Sequence, residues 1–155
     1  MYKAAIFDLD GTLLNTLEDI GTAANTVLQR NGFPSHPIEL YREFVGEGAR
    51  RLIEKALPAE STDAATIEVC LRDYLRGYGQ VWNRSTRLYA GIDNILDQLS
   101  MRNIKLGILS NKTQEFTQKC VDHFLSQWKF DAIVGESPEI PPKPDPKGVF
   151  KVTEL

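Results

Sequence analysis

The 155-residue sequence predicts an α/β protein, a parallel sheet flanked by helices and interrupted after its first strand by an all-helical insertion. Three observations carry this. Ala4 to Phe7 is a short, uncharged apolar run near the N-terminus, which suits a buried strand. Nothing between Asn15 and Arg84 alternates with period two, whereas apolar residues recur there at helical spacing. From Leu88 onward the order becomes helix, strand, helix, strand with short connections, the pattern of parallel strands joined by helices.

The elements follow in order. After the first strand, Asn15 to Arg30 reads as a helix, with Thr16 as N-cap, Asp19 three residues on, and Leu17, Ile20, Ala24, Val27 and Leu28 at helical spacing. Asn31-Gly32 ends it, and Pro34 and Pro37 enforce the break. Ile38 to Phe44 is a short helix, Gly46-Glu47-Gly48 a flexible turn, and Ala49 to Leu57 a third helix closed by Pro58. Ser61 or Thr62 caps a long helix reaching about Trp82, with Ile67, Leu71, Tyr74, Leu75 and Tyr78 along one face. Gly91 to Met101 is helical, Ile104 to Leu109 is a strand ending at Ser110-Asn111, and Thr113 to Trp128 is an amphipathic helix. Phe130 to Val134 is a short strand, Pro138 to Pro146 a proline-rich loop, and Lys147 opens a last helical turn or two. The expected division is a core of residues 1–14 and 85–155 around a helical insertion of residues 15–84.

Composition narrows the function. Charged residues at 25% and hydrophobics at 42% are those of an ordinary globular domain. A net charge of -3 without a Lys/Arg cluster speaks against nucleic acid and membrane surfaces as partners. No stretch approaches the ~20 apolar residues of a membrane span, and the N-terminal apolar run is too short for a signal-peptide core. Cys70, Cys120, His36 and His123 stand apart without metal-ligand spacing, and reduced thiols in a cytoplasmic protein are the simplest expectation.

The chemistry-bearing residues lie at predicted strand ends. Asp8 and Asp10 alternate onto one side of the first strand's exit, and Gly11 permits a sharp turn with close backbone approach to a ligand. Two like charges held that close repel unless a cation or a proton intervenes. Asp-Gly alone also marks an ordinary turn. Ser110 and Asn111 end a second buried strand, and ligands in open α/β sheets bind beyond the carboxyl ends of strands. In Pro142-Lys143-Pro144-Asp145-Pro146, prolines rigidify a loop around one lysine, which becomes a fixed point charge suited to phosphate.

Across the whole chain these residues resemble the haloacid dehalogenase-like hydrolase superfamily, in its phosphatase branch. Asp8-Leu9-Asp10-Gly11-Thr12 resembles its first signature, Leu109-Ser110-Asn111 its second, and Lys143-Pro144-Asp145-Pro146 its third. Within the branch the chain is most similar to phosphoglycolate phosphatase, through the helical insertion, the Phe44-Val45-Gly46-Glu47-Gly48 loop and the Tyr89-Ala90-Gly91 return. The resemblance implies a Rossmann-like three-layer parallel-sheet core with an inserted all-helical cap. It also implies a magnesium-dependent phosphatase acting on a small phosphorylated metabolite, as a monomer or homodimer. Asp8 would be the nucleophile that forms an aspartyl-phosphate, and Asp10 the acid and base. Mg2+ would be held by Asp8 and the Asp10 carbonyl. Gly11, Thr12, Ser110 and Asn111 would hold phosphate oxygens, and Lys143 would neutralise developing charge. The Gly46 loop resembles the cap segment that closes over substrate in that branch, and Arg50 and Arg51 beside it are candidates to meet a substrate carboxylate. The alternatives are another capped enzyme of the superfamily (a β-phosphoglucomutase, a pyrophosphatase or a nucleotidase) or a catalytically inactive phosphate-binding fragment.

The sequence departs from that pattern at one place. The fourth signature, a Gly-Asp followed by another Asp on a further strand, has no counterpart before Leu155. The expectation is therefore a chain that is part of a longer phosphatase, with a weakened magnesium site and with the strand carrying Asp8 at the sheet edge.

Overall fold

The computed structural model describes residues 2–154, which divide into two compact units: residues 2–15 with 87–154, and residues 16–86. The first unit holds the sheet. Strand β1 (Ala4–Phe7) pairs in parallel with β4 (Lys105–Thr113), and β4 pairs in parallel with β5 (Ala132–Glu136), giving the order β1-β4-β5. A small antiparallel pair, β2 (Leu14–Asn15) with β3 (Arg87–Leu88), was not visible in the sequence, because two residues per strand carry no periodicity. The helices of this unit are α5 (Ile92–Met101), α6 (Gln114–Phe124) and α7 (Lys147–Thr153).

Strand parity shows how the layers form. Gly107 and Leu109 point one way from β4, and a Cβ on Gly107 would lie 2.7 Å from Cγ1 of Val152 in α7. Leu109 packs with Ala132, Val134 and Val152 on that same face. Gly135 points the opposite way, where a Cβ would come within 2.6 Å of the Gln114 backbone in α6. Helices thus cover both faces of a parallel sheet, the three-layer α/β arrangement expected from the sequence. Strand β4 is central and buried over most of its length, whereas β1 is an edge strand with Ile6 39% exposed.

The second unit is helical: α1 (Leu17–Arg30), a 3-10 turn (Ile38–Leu40) leading into α2 (Tyr41–Phe44), α3 (Ala49–Ala56) and α4 (Ala64–Tyr78). Gly21 of α1 faces Ile38 and Tyr41, and a Cβ there would meet each of their side chains at 2.9 Å. The absent side chain lets that segment lie against α1. Tyr41 is fully buried and donates its hydroxyl to Oδ1 of Asn25 at 2.8 Å. Burial pushes its phenol up to about 12. Because the fold favours protonated Tyr41, its contribution is complete below about pH 10 and is lost as pH rises toward 12. Between about pH 9.5 and 11.5, urea unfolding is expected to show the wild type losing about 2 kcal/mol more stability than Tyr41→Phe.

Two predicted caps are corrected. Helix α4 is capped by Asp63, whose Oδ1 accepts from the Thr66 amide at 3.1 Å, rather than by Ser61 or Thr62. Thr16 sits at the N-cap position of α1 but makes no side-chain cap bond, and Asp19 forms no capping box. Asp19 is instead buried, 3% exposed, and accepts from the amides of Ser85 and Thr86 and from the Thr86 hydroxyl at 2.7–3.1 Å. It ties the two chain ends of the helical unit together across 66–67 residues, a partner no local pattern announces. Asp19→Ala would remove the acceptor of the buried Thr86 amide and hydroxyl and is expected to cost about 3 kcal/mol in denaturant unfolding.

Candidate active site

The sheet unit brings the expected residues together at the carboxyl ends of its strands. Asp8 leaves β1 directly, and the chain then turns through Gly11 at φ +80°. Leu9 and Leu13 anchor this turn by complete burial, which fixes the backbone that carries both aspartates. The Lys143 ammonium donates to Oδ1 of Asp8 at 2.7 Å and to the Leu109 carbonyl at 3.0 Å. It therefore joins the exit of β1 to the middle of β4, from 135 positions beyond Asp8 and 34 beyond Leu109. This pair is about a third exposed, so screening limits its worth to stability, and its importance is local charge.

The second carboxylate has its own cation. The Lys112 ammonium lies 3.0 Å from both Oδ1 and Oδ2 of Asp10, with the two side chains only 7% and 13% exposed. The sequence gives Lys112 no distinguishing mark. A lysine after Ser-Asn at a strand end reads as an ordinary surface charge. What buries it is the length of β4, which runs on past Leu109 to Thr113 with an irregularity in its register against β5.

The other expected residues fall into place unevenly. Ser110 is buried at the end of β4, where its hydroxyl accepts from the Lys112 amide at 3.2 Å. Thr12 is exposed in the turn after Asp10. The Asn111 side chain makes a contact other than the one expected. Its Oδ1 accepts from the Lys143 amide at 2.7 Å and its Nδ2 donates to the Lys143 carbonyl at 3.2 Å. Asn111 thus clamps the backbone of the loop that presents Lys143. The Gly11 amide, expected to hold phosphate, donates to the Leu14 carbonyl at 2.8 Å inside its own turn. Gly11 supplies the turn conformation instead.

In the helical unit, Gly46 adopts φ +119° and is exposed in the turn between α2 and α3. Arg50 is engaged by Glu54 and Glu68, and Arg51 by Glu47 and Glu54. Both candidate guanidiniums thus pair with acids of the helical unit: Glu54 in α3, Glu68 in α4 and Glu47 in the turn before α3. Glu136, which the sequence did not single out, ends β5 half-buried, and burial pushes its carboxyl up.

For a metal, Asp8 and the main-chain carbonyl of Asp10 are the available oxygens, since the Asp10 carboxylate is held by Lys112. Among the described residues no group of three His, Cys, Asp or Glu side chains converges. Mg2+ commonly keeps several waters and takes one or two carboxylates plus substrate phosphate, so this donor set fits a loosely held Mg2+.

The family model described as haloacid dehalogenase-like hydrolase matches residues 5–155. The chain belongs to the haloacid dehalogenase-like hydrolase family. Among relatives of this chain are the phosphoglycolate phosphatases of Psychrobacter arcticus, 30% identical over 97% of this chain and 68% of the relative, and of Pseudomonas syringae pv. syringae, 31% identical over 99% and 57%. The chain thus spans 57–68% of the length of these two relatives. A solved structure from Lactobacillus delbrueckii subsp. bulgaricus, provisionally named a phosphoglycolate phosphatase, matches at a TM-score of 0.91 and 25% identity over 99% of this chain and 72% of that one. A haloacid dehalogenase-like family hydrolase from Streptococcus pneumoniae matches at 0.85, also with 25% identity, over 99% and 69%. Among the described residues no helix is long and apolar enough to cross a membrane.

Proposed function

We propose that this hydrolase is a phosphatase for small phosphomonoesters, of the phosphoglycolate kind, acting through an aspartyl-phosphate on Asp8. The observation that carries the reading is the pairing of Asp8 with Lys143 at 2.7 Å beside an independently held Asp10. A carboxylate oxygen of Asp8 attacks phosphorus as the bond from phosphorus to the leaving oxygen breaks, and that oxygen takes a proton from Asp10. Water then gives a proton to Asp10 while its oxygen bonds phosphorus, the bond to Asp8 breaks, and inorganic phosphate leaves. Lys143 offsets negative charge at the nucleophile and on the transferring group, and the Asn111 clamp keeps it in position. Bound Mg2+, held by Asp8 and the Asp10 carbonyl, would supply further charge neutralisation for the phosphoryl group. Ser110 and Thr12 are the side chains we assign to the phosphate oxygens. We assign residues 16–86 the role of a cap that selects the leaving group, with the Gly46 turn as its substrate-facing loop.

The test is release of phosphate from phosphoglycolate and from p-nitrophenyl phosphate, with magnesium and with EDTA. Release that requires magnesium and Asp8 supports the proposal. No release from either ester, or release undiminished by EDTA, overturns it.

A further inference from the structure

The two carboxylates at the end of β1 have separate cations, and only Lys143 has a role in the reaction as described so far. Lys112 reaches Asp10 from the extended end of β4, 102 residues away, and spans both carboxylate oxygens at equal distance. Its own amide donates to the Ser110 hydroxyl, which ties its backbone to a residue assigned above to phosphate. An ammonium buried to this degree holds its partner in one rotamer, whereas an exposed pair exchanges freely. A pair that merely filled the core would not need to engage the one side chain that must accept a proton from water at a set angle.

We propose that Lys112 is a positioning residue for Asp10, fixing the carboxylate that accepts the proton of water when the aspartyl-phosphate is hydrolysed. This rests on the phosphatase mechanism above and extends it to a residue outside that scheme. The contact is to the carboxylate as an acceptor, so the consequence falls on the second half-reaction. Formation of the aspartyl-phosphate from an ester with a good leaving group needs no proton from Asp10 and is untouched.

p-Nitrophenyl phosphate separates the two halves, because kcat/KM reports only steps through release of nitrophenol, while kcat includes hydrolysis of the intermediate. Lys112→Met is expected to lower kcat by about 30-fold, within the usual range for a misplaced acid–base group, with kcat/KM unchanged within about threefold. In an Asp10→Asn background the same substitution is expected to have no further effect on kcat. Lys112→Arg, which keeps the charge but moves its donors, is expected to show a smaller fall in kcat with kcat/KM again preserved. It provides the measurement if the Met variant does not fold. A parallel loss of kcat/KM would show that Lys112 binds substrate, and an undiminished effect in the Asp10→Asn background would show that it acts elsewhere. Unchanged or increased kcat would show that the pair is structural or restraining. Each of these overturns the proposal. If the wild-type turnover does not depend on Asp8, the phosphatase mechanism itself has failed; if it does depend on Asp8 and the cycle is additive, only the role of Lys112 has failed.

Discussion

Asp8→Asn is expected to lower phosphatase turnover by about 10⁴-fold or more while leaving the fold in place. The amide keeps the shape of the side chain at the exit of β1 but has no anionic oxygen to attack phosphorus. Asp8 is partly exposed and its ion pair with Lys143 is screened, so little folding energy depends on its charge. Circular dichroism and thermal unfolding should therefore match the wild type closely. Residual phosphate release from phosphoglycolate within tenfold of wild type would contradict the assignment of Asp8 as nucleophile.

Lys143→Ala is expected to reduce kcat by about 10³-fold, the scale seen when one preorganised charge facing the transition state is removed. The loss has two sources. The developing negative charge is no longer offset, and the Asp8 carboxylate loses the donor that fixes its direction. Asn111→Ala offers a graded comparison, since it removes the two bonds to the Lys143 backbone but leaves the ammonium in the chain. Its effect on kcat should be smaller and should reach the rate through the freedom of the loop. Equal effects of the two substitutions, measured on phosphoglycolate at saturating magnesium, would mean that the charge of Lys143 contributes nothing beyond the loop's shape.

Local rules made much of this molecule legible. Ala4–Phe7 reads as a strand because four uncharged apolar residues precede a turn, and the structure has that strand at those residues. The start of α3 at Ala49 and the opening of α7 at Lys147 follow from Gly48 and Pro146 before them. Asp8 and Lys143 stand out as candidates only together, since Asp-Gly alone marks a turn and a loop lysine alone a surface charge; the structure does pair them, at 2.7 Å. What could not be read locally depends on partners far away in sequence. Asp19 sits where a capping-box acid would sit, and only residues 66–67 positions further on show that it binds Ser85 and Thr86. Lys112 follows a recognisable Ser-Asn pair, but its burial depends on β4 continuing past the apolar run that defined its predicted end. The family resemblance implies that the Gly11 amide holds phosphate, whereas the closed turn to Leu14 takes that donor. In each case the residue type was correct for its chemistry and the geometry decided which partner it took.

The central claim is that phosphate passes through Asp8, and direct chemical capture of that intermediate tests it. Asp10→Asn is the form to use, because loss of the base slows hydrolysis of an aspartyl-phosphate already formed from p-nitrophenyl phosphate. Borohydride reduces an acyl phosphate to the alcohol, so treatment during turnover followed by peptide mass spectrometry should reveal homoserine at position 8. Intact Asp8 in every peptide, with nitrophenol still being released, would contradict the account.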